Sequence, residues 1–528
     1  MSISGGVQEF LDGLHIEGVE IKMNTYQGDG KVVKHVSNPH SLLVLCGLFA
    51  AFAVLGALRS YGWSLNVVAN PELPTWIALF AGGLLLAISS FFVWVAQSPD
   101  RASYFLGASV ALGELPEIPK LYFLKDVAHL ALFVFVVAHW RSANVVQQLR
   151  SITDIRLRSY VLFLILAVVS VGLNFVLRGD VWQLKVGLLG LWTLAVLFVT
   201  LCVIFANPGP RIFRSLYRGF LESAPIAAAL GLAVVVLLLI THYSAGATGD
   251  GRNTLLGLGY FDRLTVLFDS PSVAACYFVV AMSFAICELS KHRDATKKWL
   301  RVGFLFLVQI SPWLIVASGS RVGKIALLVL IVSGLIWKPV RRATLIAFPS
   351  AVLAMWVSLD FQSLPSALGY RLGQVFPEYS DPQFFENLRL AERFFMLEER
   401  GDLMRNSIQV IREAPFVNQL IGMGFGVAGY RTQPYSEPHN QFMGVVVEVG
   451  VLGVLALDYF ALICVWRAFV LLRGLPQSQQ SSVWAFSVSL IALLGLAVSY
   501  QITTKGIVLV LLLLTVSRPG MNKYKTRD

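Results

Sequence analysis

Three short stretches of this sequence bring together residue types that can hold an anion or move a proton. The first is Ser318-Gly319-Ser320-Arg321-Val322-Gly323-Lys324, where backbone N–H groups, a serine hydroxyl and a guanidinium lie in a few residues. Such a turn is a small anion site, although an arginine at a helix end also serves simply by snorkelling to a membrane interface. The second is Glu399-Arg400-Gly401-Asp402-Leu403-Met404, inside a polar segment from about Phe361 to Pro438 that holds seven Arg and no Lys. Exclusive use of arginine favours planar, bidentate recognition of carboxylate or phosphate; a composition bias in an exposed loop is the plainer reading. The third runs from Gly422-Met423-Gly424-Phe425-Gly426 through Ser436-Glu437-Pro438-His439-Asn440 into an apolar stretch containing Glu448. His439 falls next to a helix N-terminus capped by Ser436 or Asn440 and entered through Pro438, a position that welcomes an anion. Glu448 lies roughly 13 Å further along that helix at ~1.5 Å per residue. An acid at such depth faces the protein interior or a wet cavity, and Gly444, Gly450 and Gly453 let neighbouring helices approach closely enough to enclose it. Lys125, Asp126 and His129 form a further cluster in which the first two neutralise each other or touch a lipid carrier; Arg252 and Arg263 are candidate extensions of the anion site.

The elements that carry these residues are membrane helices. Of the 528 residues, 56% are hydrophobic and 14% charged, and the mean hydropathy is +0.68. A soluble chain of this length needs far more charge, so lipid is the solvent for most of it. Disorder, collagen and coiled coil are excluded by the same numbers. The net charge of +11 reflects basic loops on the cytoplasmic side; no basic run interleaved with aromatics points to nucleic acid. The five cysteines lie singly in apolar segments and form no CxxC pair, so they read as small buried hydrophobes and not as a zinc or disulfide framework.

Runs of about 20 apolar residues predict spans beginning near Ser41, Leu73, Leu121, Ser159, Leu184, Ala224, Pro271, Leu300, Val322, Ala343, Gln441 and Ser482. Two shorter segments, Ala102 to Leu115 and Gly506 to Ser517, complete the set. Basic clusters at Arg141–Arg158, Arg211–Arg218, Lys291–Arg301, Lys338–Arg342 and Lys523–Arg527 are separated by even numbers of crossings if both short segments span. The expected fold is therefore an all-α, polytopic membrane bundle of about 14 transmembrane helices, 12 at least, with one large, partly helical periplasmic loop. Its divisions are a cytoplasmic extension at 1–40, a first transmembrane part at 41–360, the loop at 361–438, a last transmembrane part at 439–517 and a basic tail at 518–528. Both termini are expected inside, and 244–270 and the large loop outside. Within that loop, Phe385, Leu388, Phe395, Leu403 and Ile408 fall on one face of a helix predicted between Phe384 and Ile411.

Taken in order, these motifs make the chain resemble the O-antigen ligase and O-antigen/exopolysaccharide polymerase family of bacterial inner-membrane glycosyltransferases. The resemblance covers roughly residues 255 to 465. It rests on the Ser-Gly-Ser-Arg hairpin ending at Arg321, on Arg400-x-x-Leu403, on the Gly422–Gly426 turn, and on His439-Asn440 followed by Glu448, Gly450 and Gly453. The sequence departs at Met404, where the family usually has Trp, at Pro271-Ser272, where Pro-Asn is frequent, and in its helix number, twelve being expected of the ligases.

The resemblance implies transfer of a glycan from undecaprenyl pyrophosphate to an acceptor at the outer membrane face. No cofactor or metal is implied, because the donor brings its own leaving group, and no Walker loop or acid-rich nucleotide-sugar site is evident. Arg321 and Arg400 are expected to hold the departing pyrophosphate and His439 to take the acceptor proton, with Glu448 orienting the bundle or sharing the proton. Ser320, Asn440, Arg263 and Lys125 are expected to bind substrate. The implied partners are the lipid-linked oligosaccharide, an acceptor glycan or glycolipid, membrane lipid, a chain-length regulator and a flippase, with no nucleic acid. The reaction expected is polymerisation of lipid-linked repeat units. A ligase acting on lipid A core is the alternative, and a lipid-linked-oligosaccharide flippase or transporter is the alternative of another class, disfavoured because no related halves are visible.

Overall fold

Apolar stretches interrupted by Pro, Gly, Asp and basic residues give helices joined by short turns. The computed structural model describes residues 90–111, 127–140, 155–206, 210–241, 259–260, 263–264, 271–291, 298–359, 407–425, 441–473 and 480–499. The expected extension at 1–40, the basic tail, the span near Ser41, the segment 506–517 and most of the large polar loop lie outside these residues. In chain order the elements are α1 (Pro99–Ser109), α2 (Val127–Trp140), α3 (Ile155–Arg178), α4 (Val181–Ala206), α5 (Pro210–Thr241), β1 (Gly259–Tyr260), β2 (Arg263–Leu264), α6 (Pro271–Ser290), α7 (Lys298–Ala317), α8 (Arg321–Ile336), α9 (Arg341–Leu359), α10 (Phe416–Ile421), α11 (Gln441–Arg473) and α12 (Gln480–Ser499). Residues 90–96, the end of the span expected from Leu73, and 407–413 are also helical. The architecture is all-α apart from the two-residue pairing of β1 with β2.

Among the described residues, six helices (α3, α4, α6, α7, α11 and α12) are long and apolar enough to cross a membrane. Their outward faces are as apolar as the core: Leu162, Ile165, Val168 and Val176 of α3 and Tyr459, Leu462 and Trp466 of α11 are exposed. A surface of that kind is stable against lipid and not against water. The centre of the bundle is α6, of which 89% is buried, against 28% for α11. It packs on α5, α7, α8, α9 and α12, and between α6 and α12 the hydroxyls of Ser283 and Ser489 meet at 2.9 Å.

Local chemistry explains the connections. Asp180 Oδ1 accepts from the backbone N–H of Trp182 (2.9 Å) and Gln183 (3.2 Å), capping α4, while Gly179 (φ +66°) closes α3. The eleven residues of α1, which overlaps the expected 102–115 span, cover ~16 Å at 1.5 Å per residue, short of the ~30 Å of a hydrocarbon core. This helix is pressed into α5 through two glycines. A Cβ on Gly107 would stand 2.0 Å from Leu216 O, and one on Gly219 would stand 1.9 Å from Tyr104 O. Beside that crossing, Glu222 accepts from Tyr104 Oη and Arg218 Nε, each at 2.7 Å.

One end of the bundle gathers basic residues from separate clusters. Glu288, at the end of α6, accepts from Tyr217 Oη of α5 (3.0 Å) and pairs with Lys291. Burial opposes the Lys291 charge, but the Glu288 carboxylate outweighs it and raises the ammonium pKa. The hydrogen bond from Tyr217 to Glu288 therefore puts the basic clusters around Arg218 and Lys291 on the same side, as the even-crossing rule requires. The opposite end holds the turn between α7 and α8.

Candidate active site

The turn from α7 into α8 is built by its own serines. Ser318 Oγ donates to Ile315 O (2.6 Å) and accepts from Ser320 N (3.2 Å). Gly319 occupies the left-handed region (φ +64°) between them. Ser320 Oγ then accepts from Gly323 N (3.2 Å), so the residue expected to bind substrate is the N-cap of α8. Arg321 is the first helical residue and half-buried, and Lys324, one turn on, is buried at 6% exposure. Gly323 holds this turn against α6, where an added Cβ would lie 2.4 Å from that of Ala275. On the other side Val322 fits over Gly495 of α12, whose Cβ would meet Val322 Cγ1 at 2.8 Å. Two cationic side chains thus sit at a helix N-terminus, where the backbone dipole adds to an anion's attraction.

Arg263 lies in the short antiparallel pair, in register with Tyr260. The pair precedes α6, and β2 packs against α6 and α7. The helix that leads into the Arg321 turn thus also meets the strand that bears Arg263.

Glu448 belongs to a different construction. Helix α11 is broken at Gly450, whose φ of 75° and ψ of −175° are open only to glycine. Gly422, which ends α10, has φ 90° and ψ 177°, and the two glycines face each other. A Cβ on Gly422 would stand 2.2 Å from Glu448 O, and one on Gly450 would stand 2.2 Å from Leu420 O. The break frees carbonyls on α11, which find donors from outside the helix: Met423 N reaches Val447 O (2.8 Å) and Gly424 N reaches Glu448 O (3.2 Å). The Gly-x-Gly-x-Gly turn is thus a set of backbone donors that completes a broken helix, as apolar surroundings demand.

Helix α3 supplies the rest. Ser170 Oγ donates to Glu448 O (2.6 Å) and accepts from Gly424 N (3.1 Å). Asn174 Nδ2 donates to Ser170 O (2.8 Å) and Gly422 O (3.1 Å), and Asn418 Nδ2 donates to Asn174 Oδ1 (3.1 Å) and Gly422 O (3.0 Å). All three side chains are buried. Phe425 extends the contact to α4, lying where a Cβ on Gly190 would come within 2.5 Å of its ring.

Of the candidate residues, Ser320 and Arg321 lie on the α7–α8 turn, Arg263 on β2, and Glu448 on α11 just before its break; α12 packs against both α8 and α11. His439, Asn440, Arg400, Lys125, Asp126 and Arg252 lie outside the described residues, and of His129 only its place in α2 is described. Sequence reasoning missed Ser170, Asn174 and Asn418, and gave Lys324 no role of its own within its turn. Ser170 and Asn174 carried a signal, two polar residues four apart on one helical face of an otherwise apolar stretch.

Residues 302–458 match the family model described as O-antigen ligase. Over that stretch the chain is similar to the O-antigen ligase family. The matched stretch begins inside α7, takes in the Arg321 turn, the Arg-only loop, the glycine turn, His439 and Glu448, and ends about halfway along α11. It lies within the region of expected resemblance and covers a little under a third of the chain. The matched stretch does not include α3, so Ser170 and Asn174 bond to it from outside. No curated protein matches the chain.

Proposed function

We propose that this multi-pass membrane protein joins undecaprenyl-pyrophosphate-linked oligosaccharide repeat units at the periplasmic face of a bacterial inner membrane, as a polymerase for exopolysaccharide, capsule or O-antigen. The family domain supports glycan transfer of the ligase and polymerase type. The observation that supports this reading is the cationic turn itself, which puts Arg321 and Lys324 in the first turn of α8.

In the reaction we infer, the acceptor hydroxyl oxygen attacks the anomeric carbon of the donor glycan. The bond from that carbon to the pyrophosphate oxygen breaks, and its electron pair leaves with undecaprenyl pyrophosphate. Arg321 and Arg400 offset the growing charge, a task suited to always-protonated guanidinium groups without a metal ion. His439 takes the hydroxyl proton, its ordinary pKa of ~6.5 being suited to that role. Glu448 orients the helix bundle or shares the proton work. A single displacement inverts the anomeric centre. Ser320 sets the first turn of α8 and thereby the base of the Arg321 side chain, while Arg263, Asn440 and Lys125 contribute to binding of the lipid-linked glycan.

The acceptor distinguishes the two activities of this class. Lipid-linked glycans extracted from a strain lacking the protein test it: accumulated single repeat units mean a polymerase, and accumulated finished chains mean a ligase that acts on lipid A core. Repeat units trapped on the cytoplasmic leaflet would instead mean a flippase, and would end the enzymatic reading. Within the polymerase reading, Arg400→Lys is expected to abolish polymer despite keeping its charge, because one ammonium cannot reproduce the bidentate fork. Polymer at the wild-type level in that variant would remove Arg400 from the site.

A further inference from the structure

We infer that Ser170 and Asn174 of α3 are positioning residues for the transfer reaction, setting the depth and angle of the outer half of α11 and with it Glu448; this rests on the glycan-transfer reading above. An intact α-helix fixes its own outer turns through its hydrogen-bond ladder. Here the ladder is interrupted at Gly450, so the segment before the break must take its placement from its neighbours. Among the described residues, α3 and the glycine turn supply its polar neighbours. The carbonyl of Glu448 itself receives Ser170 Oγ at 2.6 Å and Gly424 N at 3.2 Å. The same Ser170 oxygen accepts from Gly424 N at 3.1 Å, so one hydroxyl ties the glycine turn and the Glu448 backbone to α3. Asn174 fixes the start of that turn by donating to Gly422 O at 3.1 Å, and its own carbonyl oxygen is held by Asn418.

The arrangement is over-determined in a way that mere packing does not need. Apolar residues of equal size would fill the space without burying three polar side chains. What they would not do is fix a direction, since hydrogen bonds constrain angle as well as distance. A reacting group displaced by about 1 Å loses on the order of a hundredfold in rate, which is the scale on which such a clamp acts. Both residues lie before position 302, where the family domain begins.

The test uses the full chain in lipid nanodiscs with an undecaprenyl-pyrophosphate oligosaccharide as donor, recording kcat, KM and thermal unfolding for each variant. Ser170→Ala and Asn174→Asp are expected to lower kcat on the order of tenfold to a hundredfold while KM for the donor stays within about twofold. Ser170→Thr, which keeps the hydroxyl, is expected to restore most of the rate. Ser487→Ala serves as control, because Ser487 Oγ bonds only to its own helix at Val483 O (2.9 Å) among the described residues. Should Ser170→Ala fail to fold, Ser170→Cys keeps the volume and weakens the donor, and carries the same comparison. A wild-type kcat in folded Ser170→Ala or Ser170→Cys together with Asn174→Asp, whatever the melting temperature, would overturn the inference. A folded wild-type protein that transfers no glycan would overturn the functional reading itself, and this inference with it.

Discussion

At the scale of single residues, the structure separates side chains that bind from those that build. Ser320 caps α8 with its hydroxyl, and Ser318 shapes the turn before it, so both act on Arg321 through the backbone. Arg321→Lys is expected to lower turnover on the order of a hundredfold, measured as polymer formed per folded molecule, because lysine offers no planar fork. Gly450→Ala is expected to lose at least about 2–3 kcal/mol of stability, seen as a fall in the melting temperature in detergent, since alanine can neither adopt that backbone region nor avoid Leu420 O. Gly422→Ala should do the same for the reciprocal reason. The glycine turn was legible as a motif because three glycines at alternate positions are conspicuous; its task was not, because donation to Val447 O and Glu448 O depends on a helix break far along the chain. Lys324, named within the turn, has no role of its own in the sequence reading, and its burial depends on packing that spacing does not reveal.

At the scale of elements, apolar runs gave the helices almost directly. Spans expected from Ser159, Leu184, Pro271, Leu300, Val322, Ala343, Gln441 and Ser482 start within a few residues of α3, α4, α6, α7, α8, α9, α11 and α12. Lipid leaves a segment few options other than helix, which is why length and hydropathy sufficed. They could not reveal that α1 covers only eleven residues, or that α10 and the glycine turn pack into the bundle, because both depend on contacts with distant helices. The α1–α5 crossing depends on close backbone approach, so Gly219→Leu is expected to part the two helices and destabilise the bundle by more than about 3 kcal/mol. A drop in folded yield and melting temperature for Gly219→Leu, absent for exposed Val236→Leu, is the measurement that checks this.

At the scale of the whole molecule, the joined basic clusters at Tyr217, Glu288 and Lys291 give the bundle a charged end and leave the Arg321 turn at the other. With native cysteines replaced, Arg342→Cys is expected to react with an impermeant thiol reagent only after the cells are opened, and Ser244→Cys in intact spheroplasts. Labelling of both from the same side would break the even-crossing scheme. The interruption of α11 has a mechanical corollary. Since no continuous ladder joins residues 441–449 to 451–473, the two stretches are separate cooperative units, and tension applied at Gln441 would strip the first from α3 and the glycine turn while the second stayed wound in the bilayer.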